Sequence, residues 1–438
     1  MSTATTSVLA TIVANRGNPR KIRDELERAS SRADDVDKWL RAFTFRPADY
    51  DVEGKISLAL AGLPIGVKDL FDTADMPTTY GSRVYTDHRP AEDATIVSLI
   101  KDFGGVVFGK TATTEFAWKD PAPTVNPVNR LHTPGGSSSG SAAAVGAGIV
   151  PLAVGTQTVG SIIRPAAFCG VVGYKPTFGQ VSTKGIHPLS PSLDHVGFFA
   201  RTIEDVAVAN ALFVSRNDGA LSSEGAWKRW FSDKSLRTFR LGALKTPFWN
   251  MAAAPQQANF LVVIGLLRAA GVEVVFLDIE ADLRVMTDAV RTILAREAYT
   301  TLDAFVRDYT PLVSRHIREL VEEGAKIPDS QYRDALDLQT DLRLRSRYVM
   351  QDCDALLTLP TLGQAPYGHL DTGDPRCCAP WSLVGMPAVS IPSGWSADGL
   401  PLGLQLVGQF GCDLELLRVA EFVEQVIGVV CLGQQECL

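Results

Sequence analysis

Cysteine is scarce in this sequence. Seven thiols (Cys169, Cys353, Cys377, Cys378, Cys412, Cys431 and Cys437) are spread over 438 residues. An odd, dispersed set excludes the disulfide framework of a small secreted domain and fits reduced thiols, so a cytoplasmic location is expected. Long apolar runs are missing too. The longest, Ala142 to Val154, is interrupted by Gly146, Gly148 and Pro151 and falls short of the roughly 20 residues that cross a bilayer. The mildly apolar stretch Val8 to Ala14 has no basic segment before it and no small-residue cleavage site after it, which argues against a secretory leader. Positive charge is not in excess either: 42 Lys and Arg face 49 Asp and Glu, for a net charge of −7. No membrane and no nucleic-acid partner is therefore expected, since the latter needs clustered Lys and Arg. Metal-ligand spacing is also wanting. Cys377 and Cys378 stand near His369 and Asp371, but adjacent cysteines cannot bend round one zinc as a CxxC pair does, so no metal is expected.

What is present is the composition of a folded protein, with 46% apolar and 21% charged residues. Apolar positions at spacings of three and four predict helices over residues 20–42, 95–103, 256–270 and 414–426. Runs rich in β-branched and apolar residues predict strands at 106–108, 240–244, 272–277, 388–391 and 402–407. The small residues Ser141 to Ile149 predict a helix able to pack closely. Alternating strands and helices define an α/β layered protein. No repeat or long linker divides it, so residues 1–438 are read as one domain. Residues 1–60 form its mainly helical N-terminal arm, a candidate homodimer contact.

Two motif matches fail on local chemistry. Gly104-Gly-Val-Val-Phe-Gly109-Lys110-Thr111 satisfies the phosphate-loop pattern of NTPases, but its Val-Val-Phe interior favours a strand where an open loop is required. Gly104-Gly105 also sits where a helix should stop. Gly136-Ser-Ser138-Ser-Gly140 matches the nucleophile elbow, which must follow a strand and needs a histidine partner. Here Asn129 to Pro134 reads as a loop. None of the six histidines lies in a pattern that nominates a base; His195 beside Asp194 comes nearest.

The informative region is Gly135-Gly-Ser-Ser-Ser-Gly-Ser141, a close-packing helix, and then Gly155-Thr-Gln-Thr-Val-Gly-Ser-Ile-Ile-Arg-Pro165. Glycine-rich backbone with hydroxyls and free N–H groups suits a site that stabilises an anion. Without a histidine base, lysine is the other common activator of serine. Lys68 ends an apolar strand, where burial would leave its amine neutral and able to accept a proton.

At these residues the chain resembles the amidase signature family. The likeness extends over Gly62 to Asp69, the Gly/Ser stretch, Gly155 to Ser161, and Cys169-Gly170 into Lys175-Pro-Thr177. It continues through Ser192 to Gly197, Gly385 to Pro392, and Gly399 to Gln405. The resemblance implies an α/β/α sandwich with a large mixed central β-sheet and a Ser–cis-Ser–Lys triad. Ser161 would be the nucleophile, Ser137 the bridging serine after a cis bond, and Lys68 the base. Backbone N–H groups of Thr158, Val159, Gly160 and Ser161 would form the oxyanion hole, while Gly136, Ser138 and Thr156 would contact substrate. The implied activity is hydrolysis of a small amide to carboxylate and ammonia through an acyl-enzyme, without a cofactor. Malonamidase-type members, which take carboxylated amides, offer the nearest likeness within the family. Amidotransferase A-type subunits share the fold and give a second reading.

Two positions depart from the family's usual Gly-Thr-Asp-x-Gly-Gly-Ser. Gln157 replaces Asp, and Val159 replaces a glycine, so the loop there is expected to keep negative φ. Arg164 offers a guanidinium fork to a substrate carboxylate or to a structural salt bridge. Loops around 120–132, 186–193 and 300–375 are expected to wall the pocket.

Overall fold

Strands buried on both faces need apolar residues in unbroken runs, because neither side meets water. Pro64–Lys68 and Val106–Thr111 are buried at every position, and they lie within the large sheet around which the chain is built. The computed structural model describes residues 7–55, 57–214, 239–350 and 352–435; Cys437 lies outside them. The strands are β1 (Phe43–Phe45), β2 (Pro64–Lys68), β3 (Val106–Thr111), β4 (Leu152–Gln157), β5 (Val172–Lys175) and β6 (His195–Ala200). They continue with β7 (Arg240–Leu244), β8 (Glu273–Leu277), β9 (Ala355–Thr358), β10 (Ala388–Trp395) and β11 (Pro401–Val407). All 11 join one sheet in the order β1-β3-β2-β4-β6-β5-β10-β11-β9-β7-β8. Parallel pairing links β3, β2 and β4 in one half and β8, β7 and β9 in the other. Antiparallel β6, β5, β10 and β11 join the halves. The sheet is mixed, and helices flank it as an α/β sandwich.

Alternation along each strand sends neighbouring side chains to opposite layers. Val107, Leu152, Val154 and Phe198 enter one core, whereas Phe108, Ala153 and Phe199 enter the other. Helix α1 (Val8–Asn15) supplies Val8 and Ile12 to the first core; α2 (Pro19–Leu40) supplies Ile22, Leu26, Ala29 and Leu40 to the second. The apolar stripe of α2 thus packs on the chain's own sheet. Next come α3 (Thr95–Asp102), α4 (Ser139–Gly146), α5 (Ile163–Cys169), α6 (Ile203–Ala209) and α7 (Ala254–Ala269). They are followed by α8 (Glu280–Tyr309), α9 (Arg315–Ala325), α10 (Asp329–Val349), α11 (Ala379–Leu383) and α12 (Asp413–Gln435). Helix α4 is built of small residues because it lies against backbone: a Cβ on Gly140 would stand 2.2 Å from the Ala42 carbonyl oxygen.

Two expectations fail here. Residues 300–349 are largely helical rather than loop, and the apolar positions Leu283, Met286, Val290, Ile293 and Leu294 of α8 are buried at helical spacing. The phosphate-loop reading also falls, since Lys110 sits inside β3. Its amine donates to the Phe71 carbonyl at 2.6 Å and to Thr78 Oγ1 at 2.5 Å, and it pairs with Asp69 at 3.4 Å. Both side chains are fully buried. Lys110→Ala leaves the Asp69 carboxylate in the interior without its cation, at a cost of about 3–5 kcal/mol. Urea denaturation of the variant against the wild type measures that loss; an unchanged midpoint contradicts it.

Candidate active site

Strand β2 delivers Lys68 into the interior with its side chain fully buried. The amine lies 2.8 Å from Ser137 Oγ and 2.7 Å from Thr156 Oγ1. No carboxylate pairs with it among the described residues. Burial pushes its pKa well below that of an ordinary lysine, opposed by the charge of Asp194. The amine is therefore suited to accept a proton.

Ser137 stands on the segment that enters α4, after a cis Gly136–Ser137 peptide bond. The hydroxyls around it stitch this segment to the sheet. Ser138 Oγ donates to the Thr156 carbonyl at 3.1 Å and accepts the Thr156 N–H at 3.3 Å. Ser139 Oγ reaches the Gly135 carbonyl at 2.7 Å, and Ser141 Oγ the Val154 carbonyl at 3.0 Å. Gly135 holds φ +81, and a Cβ there would stand 2.9 Å from Pro165 Cα. Glycine is required at that turn.

Beyond β4 the chain turns through Thr158–Ile162 into α5. Gln157 caps this helix: its Oε1 accepts the N–H groups of Ile162 at 2.9 Å and Ile163 at 3.1 Å, while Nε2 donates to Ser382 Oγ at 3.1 Å. Neither Val159 nor Gly160 has positive φ, so the β-branched side chain is accommodated. Among the described residues, no hydrogen bond is made by the backbone N–H of Val159, Gly160 or Ser161. Arg164 ties the two segments together. Its N–H donates to the Gly160 carbonyl at 3.0 Å, and its guanidinium to the Gly136 carbonyl at 2.7 Å and Thr372 Oγ1 at 3.3 Å. It is buried, has no carboxylate partner among the described residues, and keeps an unpartnered Nε.

A cavity of about 600 Å³ opens beside this turn. Val159, Ser161 and Arg164 line it together with Thr287, Val290, Arg291 and Leu294 of α8, the segment Leu370 to Arg376, Trp118, Lys119 and His316. Among the described residues Ser161 makes no hydrogen bond to Ser137; its position is on the cavity wall. Gly136, Ser138 and Thr156, expected to touch substrate, do not line the cavity. Their polar groups are engaged by Arg164, by each other and by Lys68. The loops 120–132 and 186–193 do not wall it either. His316 and Leu370 to Pro375 fall within the segment 300–375 expected to wall the pocket; the wall from α8 was missed, although the spacing of its apolar residues carries a signal. His195 is no base for either serine: it is buried on β6, and its Nδ1 lies 2.6 Å from the Leu193 carbonyl and 3.2 Å from that of Gln157. Among the described residues no cluster of three or more His, Cys, Asp or Glu is placed to hold a metal, and no helix is long and apolar enough to cross a membrane.

The mixed-sheet sandwich thus brings a buried lysine onto a serine beside a turn of N–H groups that make no hydrogen bond among the described residues. Residues 42–417 match the family described as Amidase, and the chain belongs to that family and is an enzyme. It is 33% identical over 399 residues to the A-type subunit of the glutamyl-tRNA(Gln) amidotransferase of Chlamydia pneumoniae, covering 82% of this chain and 80% of that one. Among solved structures it is similar to "An unexpected vestigial protein complex reveals the evolutionary origins of an s-triazine catabolic enzyme. Inhibitor bound complex." (28% identity, TM-score 0.85, covering 96% of this chain and 98% of that one). It is also similar to the native peptide amidase of Stenotrophomonas maltophilia (26% identity, TM-score 0.81, 97% of each chain).

Removing the Gln157 cap tests how the turn is held. Gln157→Leu leaves the N–H groups of Ile162 and Ile163 without an acceptor and destabilises the fold by about 2–4 kcal/mol. Thermal unfolding reads the difference, and an unchanged melting temperature shows that the cap contributes nothing.

Proposed function

We propose that this chain is an amidohydrolase that cleaves a carboxamide to a carboxylate and ammonia through an acyl-enzyme. The observation that carries the reading is the buried Lys68 amine in contact with Ser137, its pKa pushed well below that of an ordinary lysine by burial. Ser161 attacks the amide carbon as its proton passes to Ser137 and the Ser137 proton passes to Lys68. Hydrogen bonds of this kind commonly tighten only when substrate is bound, so the Ser161–Ser137 link closes in the substrate complex. The N–H groups of Thr158, Val159, Gly160 and Ser161 meet the oxyanion, where losing one donor typically costs about 100- to 1,000-fold in rate. The relay then runs backwards to protonate departing ammonia, and water releases the acid. The relay itself uses only side chains.

A carboxylated amide is the favoured substrate, as in malonamidase-type enzymes, because Arg164 faces the cavity without a carboxylate of its own. The curated relatives favour a second reading, an amidotransferase A-type subunit in which the same amide cleavage delivers ammonia to a partner's reaction. The purified chain assayed for ammonia release over an amide panel separates the two. Turnover by the chain alone supports the hydrolase, whereas turnover only with added partner subunits supports the second.

Lys68→Ala abolishes turnover, at least about 1,000-fold, in a chain that still melts cooperatively; retained activity rules out the lysine relay. In the wild type the rate rises with pH as Lys68 loses its proton, because the neutral amine is the active form and its pKa is lowered. A rate that falls over that range contradicts the assignment. Arg164→Ala raises KM more for a carboxylated amide than for its neutral analogue; equal losses on both remove Arg164 as the acid-binding group.

A further inference from the structure

The relay places a proton on Lys68, creating a cation in a site with no carboxylate in contact and no exposure to water. Something must offset that charge. Strands β4 and β6 pair antiparallel with Thr156 opposite Val196 and Gln157 opposite His195; Thr158 follows the end of β4 and Asp194 precedes the start of β6. Thr156 lies near the end of β4, and Thr158, two residues on, opens the turn that follows it. Thr156 Oγ1 holds Lys68 at 2.7 Å, and Thr158 Oγ1 donates to Asp194 Oδ1 at 2.6 Å. The other oxygen of Asp194 accepts the N–H groups of Leu189 and Ser190, each at 3.0 Å. This carboxylate is fixed from both ends.

We infer that Asp194 is the counter-charge for protonated Lys68, a positioning residue that acts through the lysine and never touches substrate. The inference rests on the triad reading above. The separation is what makes it work. A carboxylate in contact would hold the amine as a permanent ammonium, and none at all would leave the protonated relay unsupported. With the two groups held by hydroxyls two residues apart in the chain, and not in contact, the attraction favours the cation as it forms without keeping it at rest. Burial lifts the Asp194 carboxyl to about 6, so it is ionised at neutral pH and above.

The other charged groups near the pair are few. Lys68 faces Ser137 and Thr156, and the charge that acts on it is that of Asp194. Asp194 feels Glu297, which accepts from Ser190 and Ser192 and raises the Asp194 pKa further. His195 alternates to the opposite face of β6, where it feels Lys175 and Arg343.

The experiment is the pH profile of kcat/KM for ammonia release from one amide substrate of the purified chain, in wild type, Asp194→Asn, Asp194→Glu and Thr158→Val, with Lys68→Ala as control. Asp194→Asn keeps the shape and removes the charge. The Lys68 pKa then drops, and the acid limb moves to lower pH by about one to two units, while turnover on the plateau falls about 10-fold or more. Asp194→Glu restores the limb towards its wild-type position, a rescue that a purely structural role would not produce. If Asp194→Asn does not fold, Thr158→Val decides: the carboxylate stays but loses its anchor and a hydrogen bond that favours its charged form, so turnover drops several-fold. A limb that stays put or moves up in folded Asp194→Asn, or unchanged turnover in Thr158→Val, overturns the inference. Activity surviving in Lys68→Ala overturns the triad reading instead.

Discussion

The amine of Lys68 reaches no water and touches only hydroxyls, Ser137 and Thr156, and burying a charge so deep without a contacting partner is costly. Its uncharged form is therefore the one the interior tolerates. Much of the surrounding structure answers to that constraint. Strand β2 is buried along its length, so that its end lies deep. The Ser138, Ser139 and Ser141 hydroxyls are engaged by main-chain carbonyls, fixing the segment that presents Ser137. On the other side of the same strand end, Asp69 pairs with Lys110, and its charge opposes the burial that lowers that lysine to about 8. Burial alone does not separate the two amines. What separates them is whether a carboxylate shares the pocket.

The turn after β4 shows how two departures from the family pattern fit together. Gln157 stands where an aspartate is usual, and its carbonyl oxygen accepts the first N–H groups of α5 while its amide reaches Ser382. A neutral side chain that both donates and accepts suits that place, since a carboxylate would only accept. With α5 held from within, the N–H groups of Val159, Gly160 and Ser161 just before it make no hydrogen bond among the described residues, and Val159 sits there without positive φ. Arg164 then joins this turn to the Gly136 carbonyl. One side chain sets the spacing between the two serine-bearing segments.

The parts legible in the sequence were those written in local chemistry. Closely spaced glycines and serines, an apolar strand ending in lysine, and the helical spacing of 20–42 each describe a segment by itself, and these segments form as expected. The cavity wall was not legible in that way. Thr287, Val290, Arg291 and Leu294 reach the site from a helix more than a hundred residues downstream of Ser161, and only the fold brings them there. Likewise Thr156 and Ser138 are expected as substrate contacts from the family resemblance. Neither lines the cavity: the Thr156 hydroxyl is taken by the Lys68 amine and the Ser138 hydroxyl by the Thr156 main chain. The pairing of Thr158 with Asp194 depends on strand register, which the pattern of residues leaves open.

The α8 wall has a consequence for how such an enzyme changes. Under the proposed mechanism the strand ends and the serine-rich turn carry the chemistry, while part of the cavity wall, Thr287, Val290, Arg291 and Leu294, belongs to a single helix of 30 residues. New tastes can thus be acquired by repainting one face of that helix, with the reacting groups left as they are. The freedom stops one turn further on. There Glu297 of the same helix grips Ser190 and Ser192 beside Asp194, and any change begins to tug on the machinery itself.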